Sequence, residues 1–347
     1  MKIIITGGAG FIGTNFCLSA IKMGHEVVIV DDISRKGTKE NLTTIQNDSA
    51  FNEDKFFFEK VDITDSDRII EVFKKHHDAE LIVHLAAQVA VTTSITDPRF
   101  DFEINALGTF NILEAMRAVD SKALLIFSST NKVYGNLSEV SLVESEKRYQ
   151  FADLTAGISE KQQLDFHSPY GCSKGVADQY VRDYSRIYKL NTVVVRQSCI
   201  YGINQLGIED QGWVAWFTIA AMMGKEISIY GDGKQVRDVL YIDDLVNLYW
   251  ELFRCRDECS GKIFNAGGGM QNSLSLIELL EILDANNLSV SKSFAEQRKG
   301  DQKIFISDNR KLKEFTGWEP LISPKVGTER LIVWVRENLD KIKNLLG

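Results

Sequence analysis

The chain is short of proline, with four in 347 residues. It lacks a basic surplus: the formal net charge is −8, which argues against a nucleic-acid-binding surface. No apolar run reaches the roughly 18 residues needed to cross a bilayer, and no membrane partner is expected. The N-terminus does not read as a signal peptide, because Met1 leads straight into the apolar stretch Lys2–Thr6. A cytoplasmic location is therefore expected. Cysteines are five, an odd number without framework spacing, which fits reduced thiols. Cys255 and Cys259 stand four apart with no second pair nearby. The five histidines, His25, His76, His77, His84 and His167, form no ligand-spaced cluster. No metal is expected.

What is present is a core-forming chain, 44% apolar, long enough for about two domains. Its first half alternates apolar strands and amphipathic helices. Strands are expected at Lys2–Thr6, His25–Val30, Lys55–Val61, Ala79–Leu85, Ala123–Ser128 and Thr192–Gln197. Helices are expected at Phe11–Met23, Ser66–His76, Asp101–Ala118 and Ser168–Tyr188. The Val-Val-Ile-Val run at 27–30 suits a strand covered on both faces. Such alternation predicts an α/β fold, a doubly wound parallel (Rossmann) sheet. Beyond residue 200 the pattern loosens, with irregular stretches at Tyr201–Gly212 and Tyr230–Tyr241 and a last helix at Gly327–Leu346. We expect a dinucleotide-binding domain over 1–200 and a smaller C-terminal α/β substrate domain over 201–347, with part of 236–268 returning to the first. The polar connector Asn136–Lys161 has the length of an active-site loop.

The chemistry is carried by two motifs. Thr6-Gly7-Gly8-Ala9-Gly10-Phe11-Ile12-Gly13 follows a strand and opens a helix, the context in which such glycines bind a dinucleotide. Gly7 permits a tight turn, Gly10 lets the backbone approach a pyrophosphate, and Gly13 allows close helix–strand packing. The N–H groups that open the helix face the diphosphate. Asp31 ends the second strand about 20 residues on, where a carboxylate accepts from the adenosine ribose and repels a 2′-phosphate. Arg35 and Lys36 follow it, but Asp31 and Asp32 outweigh them, so NAD is the expected cofactor. Asp62 is a candidate for the adenine amino group, or a cap for the following helix. Ala86 lies in a small-residue strand end against which a cofactor can lie flat.

The second motif is Tyr170-Gly171-Cys172-Ser173-Lys174. Spacing of four puts Tyr170 and Lys174 on one helix face. An ammonium beside a phenol favours the phenolate and is expected to lower the Tyr170 pKa toward neutrality. Ser128-Ser129-Thr130 ends the fifth strand and offers a hydroxyl to a substrate oxygen. His167 is a possible second proton carrier, although Ser168 as helix N-cap beside a structural His167 is the preferred reading. Trp213, Trp216 and Phe217 recur at near-helical spacing and read first as core.

These residues together resemble the extended short-chain dehydrogenases/reductases, the family of nucleotide-sugar epimerases and dehydratases. The likeness includes Ala86-Ala87, Val133-Tyr134-Gly135, Arg196, Tyr201-Gly202, Gly231-Asp232-Gly233…Arg237-Asp238 and Tyr241-Ile242-Asp243-Asp244, and spans nearly the whole chain. It implies Thr130 as the hydroxyl orienting the substrate, Tyr170 as acid/base and Lys174 as holder of the nicotinamide ribose. It also implies Gly7, Gly10, Phe11, Ile12, Gly13, Asp31, Asp62, Ala86 and Lys174 about NAD. Gln88, Thr130, Asn131, Arg237 and Arg298 are its substrate contacts, with Arg237 gripping the nucleotide diphosphate. Runs 88–94, 128–135, 164–175 and 210–217 resemble a subgroup acting on CDP-3,6-dideoxyhexoses, which implies inversion at carbon 2 through a transient ketone. Family dehydratases carry an Asp-Glu pair directly after the catalytic threonine. Here Asn131 and Lys132 stand there, which disfavours water elimination. Another epimerase, a reductase, a decarboxylase or a dehydratase of the family, and a dinucleotide-binding sensor without turnover, are the alternatives. The family also implies a homodimer or homotetramer through the Asp101 and Ser168 helices.

Overall fold

A computed structural model describes residues 1–209, 211–296 and 302–346. Arg298, an expected substrate contact, lies outside the described residues. The chain divides into two compact units. The first comprises 1–130, 168–196 and 246–264, and the second 131–167, 197–245 and 265–347.

The first unit is built on a seven-stranded sheet. Its strands are β1 (Lys2–Thr6), β2 (Glu26–Val30), β3 (Phe56–Glu59), β4 (Leu81–His84), β5 (Leu124–Thr130), β6 (Thr192–Gln197) and β7 (Ile263–Ala266). Their spatial order is β7-β6-β5-β4-β1-β2-β3. The pairings β1–β2, β1–β4, β2–β3 and β4–β5 are parallel. The order reverses at β1, between β2 and β4. In a doubly wound sheet that reversal opens a crevice at the strand ends, where dinucleotides bind. Ile3, Ile4, Ile5, Val27, Val28, Ile29 and Val30 are completely buried, as the unbroken apolar runs of β1 and β2 require when both faces are covered. Helices α1 (Phe11–Lys22), α2 (Thr38–Gln46), α3 (Ser66–Lys75), α4 (Val91–Thr96), α5 (Pro98–Phe102), α6 (Thr109–Ala118) and α7 (Pro169–Tyr188) complete the unit up to β6. Two were not foreseen. α2 is short and polar, and α4 has no apolar periodicity.

The expected single helix Asp101–Ala118 is broken. Residues Glu103–Gly108 form a π-helical turn between α5 and α6. At the break, Thr109 Oγ1 donates to the Asn105 carbonyl at 2.7 Å. Gly108 packs so closely that an added Cβ would stand 2.5 Å from Ile63 Cδ1. π-turns within helices recur at functional sites.

The expected boundary at residue 200 requires correction. Residues 131–167 belong to the second unit because their apolar side chains are buried there. Val133, Tyr134, Leu137 and Ile158 cluster with Phe305, and Leu142 and Phe151 pack on Val236, Ile304 and Ile306. The expected connector thus contains a hairpin, Leu142–Glu144 paired with Tyr149–Phe151. Residues 246–264 lie with the first unit, where Tyr249 and Trp250 pack on Phe16. In the second unit, the stretch expected to be irregular at 230–241 holds a strand, Val236–Tyr241. The last helix stops at Glu337 and restarts at Leu339. Trp213–Met223 is a helix in which Phe217 is buried and Trp213 and Trp216 half-buried. No helix among the described residues is long and apolar enough to cross a membrane.

Candidate active site

The glycine turn between β1 and α1 is a cradle that side chains would fill. Gly7 has φ +66°, and a Cβ there would stand 2.6 Å from the Ala86 nitrogen. A Cβ on Gly13 would meet the Gly7 carbonyl oxygen at 2.5 Å. Gly10 is different. Its nearest neighbour to an added Cβ is the Gly7 oxygen at 3.1 Å, so little protein crowds it and its backbone is open to a ligand. No side chain caps α1, and Gly10, Phe11 and Ile12 are half-exposed while Gly13 is buried. The first N–H groups of α1 are thus available to an anion. This arrangement fits a dinucleotide diphosphate.

Asp31 stands at the end of β2 and is buried, with one carboxylate oxygen accepting from Ala9 N at 3.0 Å and the other from Ile33 N at 2.9 Å. Burial pushes its pKa up, opposed by those two N–H donors. Each oxygen keeps a lone pair for a ribose hydroxyl. Asp62 is exposed and turns onto Thr64, accepting from its N at 2.8 Å and its Oγ1 at 2.9 Å. The N-cap of α3 is Asp65, not Asp62. Ala86 is half-buried against Gly7.

Tyr170 sits in the first turn of α7. Ser168 caps that helix, accepting from Gly171 N at 3.0 Å, while His167 is exposed. The Tyr170 side chain hydrogen-bonds Thr130, the last residue of β5. Lys174 Nζ donates to the Ser128 carbonyl at 2.7 Å and lies 4.3 Å from the centre of the Phe127 ring. Thr130, Tyr170 and Lys174 therefore converge on the end of β5, with α7 supplying two of them.

The expected lowering of the Tyr170 pKa is not found in the protein alone. Burial pushes Tyr170 up to about 12, against the pull of the Thr130 hydrogen bond. Burial also pulls Lys174 down to about 7, although Asp178 and Asp101 favour its charged form. Desolvation disfavours both charges, and for Tyr170 it outweighs the Thr130 hydrogen bond.

The end of β5 is held from below. Ser129 Oγ donates to Asp178 Oδ2 at 2.8 Å. Arg196 grips the same carboxylate with Nε at 2.9 Å and Nη2 at 2.8 Å. This two-pronged pair is buried on both sides, the geometry in which arginine pairs best.

Gln88 behaves otherwise than expected for a sugar contact. Its amide nitrogen donates to Asp101 Oδ1 at 2.7 Å and to the Ala90 carbonyl at 2.9 Å, and its oxygen accepts from Ala90 N at 2.6 Å. Both amide hydrogens are used inside the protein, which leaves a ligand one acceptor lone pair at most. Spacing gave no signal of this network, because its members lie on separate elements.

In the second unit, Asn131 Nδ2 donates to Gln302 Oε1 at 3.2 Å, and Gln302 in turn donates to the Gly135 carbonyl. Arg237 is half-buried on the strand Val236–Tyr241 and donates to the Val236 carbonyl at 2.8 Å. No carboxylate pairs with it among the described residues. Its neighbour Asp238 is fully buried and accepts from Ser198 Oγ, Gly269 N and Ser307 N.

Residues 4–331 match the GDP-mannose 4,6 dehydratase family. The chain belongs to this family, among the extended short-chain dehydrogenases/reductases. It is 43% identical over 340 residues to CDP-paratose 2-epimerase of Salmonella typhi, covering 96% of this chain and 99% of that protein. Among solved structures it resembles UDP-glucose 4-epimerase of Thermotoga maritima with UDP-glucose. The TM-score is 0.81 and the identity 29%, over 98% of this chain and all of that one. UDP-glucuronic acid 4-epimerase of Bacillus cereus, in complex with UDP-glucuronic acid and NAD, aligns with TM-score 0.81 at 26% identity, over 97% of this chain and 99% of that one. The short-chain dehydrogenase/reductase assignment accounts for the glycine cradle, the 3-2-1-4-5-6-7 strand order and the pairing of Tyr170 with Lys174 on one helix.

Proposed function

We propose that this protein is an NAD-dependent epimerase that converts CDP-paratose to CDP-tyvelose by inversion at carbon 2. The observation that carries the chemistry is the Thr130–Tyr170 hydrogen bond at the end of β5, with Lys174 one turn further along α7. The substrate follows from the full-length likeness to CDP-paratose 2-epimerase.

Gly7, Gly10, Phe11, Ile12 and Gly13 would hold the NAD diphosphate, Asp31 the adenosine ribose, and Asp62, through its exposed carboxylate, the adenine edge. Bound NAD supplies the acceptor, then the donor, of a hydride, and a positive charge that favours a phenolate. Tyr170 Oη takes the proton of the carbon-2 hydroxyl and returns it after the ketone has presented its other face. Thr130 orients the sugar oxygen toward Tyr170. Lys174, anchored on the Ser128 carbonyl, holds the nicotinamide ribose and adds its own positive charge. Arg237 takes the nucleotide diphosphate, and Asn131 offers an amide to the sugar. Asn131 is a poor acid or base near neutral pH, which leaves epimerisation rather than elimination as the outcome. Such an activity belongs to the making of the sugar precursors of lipopolysaccharide O-antigen.

The protein is proposed to work as a dimer of this chain. Phe100 (45% exposed), Phe102 (52%) and Leu107 (39%) lie on α5 and the π-turn, and Tyr180 (46%) and Ile187 (63%) on α7, which packs beside them. Tyr180 rests edge-on against Phe110. An apolar surface of two adjacent helices is the kind a second copy covers. A panel of nucleotide sugars followed by proton NMR tests the function. Inversion of CDP-paratose at carbon 2, with no net NADH released, is expected. Inversion of a different sugar nucleotide alone would reassign the substrate, and no inversion of any would reject the epimerase.

A further inference from the structure

Asp101 is completely buried in α5. One of its oxygens accepts from Gln88 Nε2 at 2.7 Å and from Asn105 Nδ2 at 3.1 Å, and the other accepts from Ser173 Oγ at 2.5 Å. Three donors converge on a group that, when ionised, only accepts. Ser173 Oγ also accepts from Asn105 Nδ2 at 3.1 Å and lies 3.2 Å from the Tyr170 carbonyl, so the carboxylate is tied to the first turn of α7. All three hydrogen-bond partners are neutral, and the cation that Asp101 faces, without a hydrogen bond to it, is Lys174. A buried charge without a hydrogen-bonded counter-ion is costly to keep, and here it sits against the turn that carries Tyr170 and Lys174. Ser173 stands between those two residues on α7.

The other charged groups facing the pair do not duplicate it. Asp178 also faces Lys174, but Arg196 matches its charge with two hydrogen bonds. His84 faces Lys174 and is held neutral, its pKa pulled down to about 3 by burial and by the lysine charge. Tyr170 meets Thr130 and Asp101.

We propose that Asp101 is a positioning residue for the reaction: its carboxylate fixes the Tyr170–Lys174 turn through Ser173 and supplies a negative charge against which Lys174 keeps its proton. This rests on the epimerase reading for its purpose, but not for its test. It also explains why the Gln88 amide is committed inside the protein.

A negative neighbour raises the pKa of a phenol and of an ammonium alike. Asp101→Asn should therefore let both Tyr170 and Lys174 lose their protons at lower pH. In the NAD-loaded protein, without sugar nucleotide, the phenolate absorbance of wild type minus that of Tyr170→Phe isolates the Tyr170 titration. Asp101→Asn is expected to move it down by about one pH unit. Asp101→Glu, which keeps the charge, should restore it. Ser173→Ala keeps the charge and loses the clamp, so it should leave the titration in place and speed amide exchange over residues 169–176. An unmoved titration in Asp101→Asn, or an equal shift in Ser173→Ala, overturns the assignment. Should Asp101→Asn fail to fold, Ser173→Ala decides: exchange at the wild-type rate rejects the clamp. Neither readout uses a substrate, so a wrong choice of sugar leaves both valid. With the correct substrate, both limbs of the pH–turnover profile move to lower pH in Asp101→Asn.

Discussion

His84 gives a pH dependence of stability that can be worked from its surroundings. It ends β4, with one ring nitrogen 2.6 Å from Thr6 Oγ1 and the other 3.0 Å from Thr109 Oγ1. Burial, with the charge of Lys174, lowers its pKa from 6.5 to about 3. Below pH 6.5 the unfolded chain takes up a proton that the native protein refuses, so the unfolded state gains. The contribution is complete above pH 6.5 and is lost as pH falls toward 3, at about 1.4 kcal/mol per unit. Between pH 7 and 4.5 the loss is about 2.5 kcal/mol, a large share of the 5–15 kcal/mol that stabilises a typical domain. His84→Gln removes the titration and keeps a side chain able to bond a threonine. Urea unfolding of both proteins across this range, at matched salt, isolates the term, because every other titrating group is common to them. Wild type should lose about 2.5 kcal/mol more than the variant on acidification. Parallel stability curves would show that His84 titrates normally in the native protein and would refute the reasoning.

Four further outcomes are expected. Tyr170→Phe should lower turnover by roughly 10² to 10⁴, the usual size of an acid/base contribution, with NAD still bound. Lys174→Ala should lower turnover and weaken NAD binding, and full activity in Tyr170→Phe would move attention to His167. The purified protein should release NAD on denaturation, identified by mass, while Gly13→Ala, whose Cβ would lie 2.5 Å from the Gly7 oxygen, should carry none. Phe102→Glu with Tyr180→Glu should reduce a dimer to a monomer in light scattering, and an unchanged mass would place the interface elsewhere.

The sheet was legible because parallel strands buried on both faces announce themselves. Val27–Val30 and Ile3–Ile5 leave little alternative, and the glycines at 7, 10 and 13 mark where the first turn must be tight. That Thr130, Tyr170 and Lys174 would meet was legible from the i, i+4 spacing and the strand end before it. The π-turn was not, since Glu103–Gly108 has ordinary helical periodicity. The course of residues 131–167 was equally hidden, because Val133, Tyr134 and Ile158 find their apolar partner in Phe305, far along the chain. The protonation of Tyr170 was misjudged for a physical reason. Spacing reveals the lysine but not the depth of burial, and burial is the largest influence on both groups. Asp101 escaped notice as a polar residue in an amphipathic segment, and its meaning lies in Ser173, 72 positions away.

The central claim is that Tyr170 moves a proton at carbon 2 while the hydrogen bound to that carbon leaves and returns without meeting water. Oxidation at carbon 4 would leave the carbon-2 hydrogen unactivated, and a 3-deoxy sugar has no hydroxyl at carbon 3 to oxidise. The direct test is to run the reaction with CDP-paratose deuterated at carbon 2 in ordinary water, and with unlabelled substrate in heavy water, and to read carbon 2 of the product by NMR. The account predicts that the substrate label is kept in the first case and that no solvent deuterium enters in the second. Loss of the label to water, or entry of deuterium from it, would contradict the account.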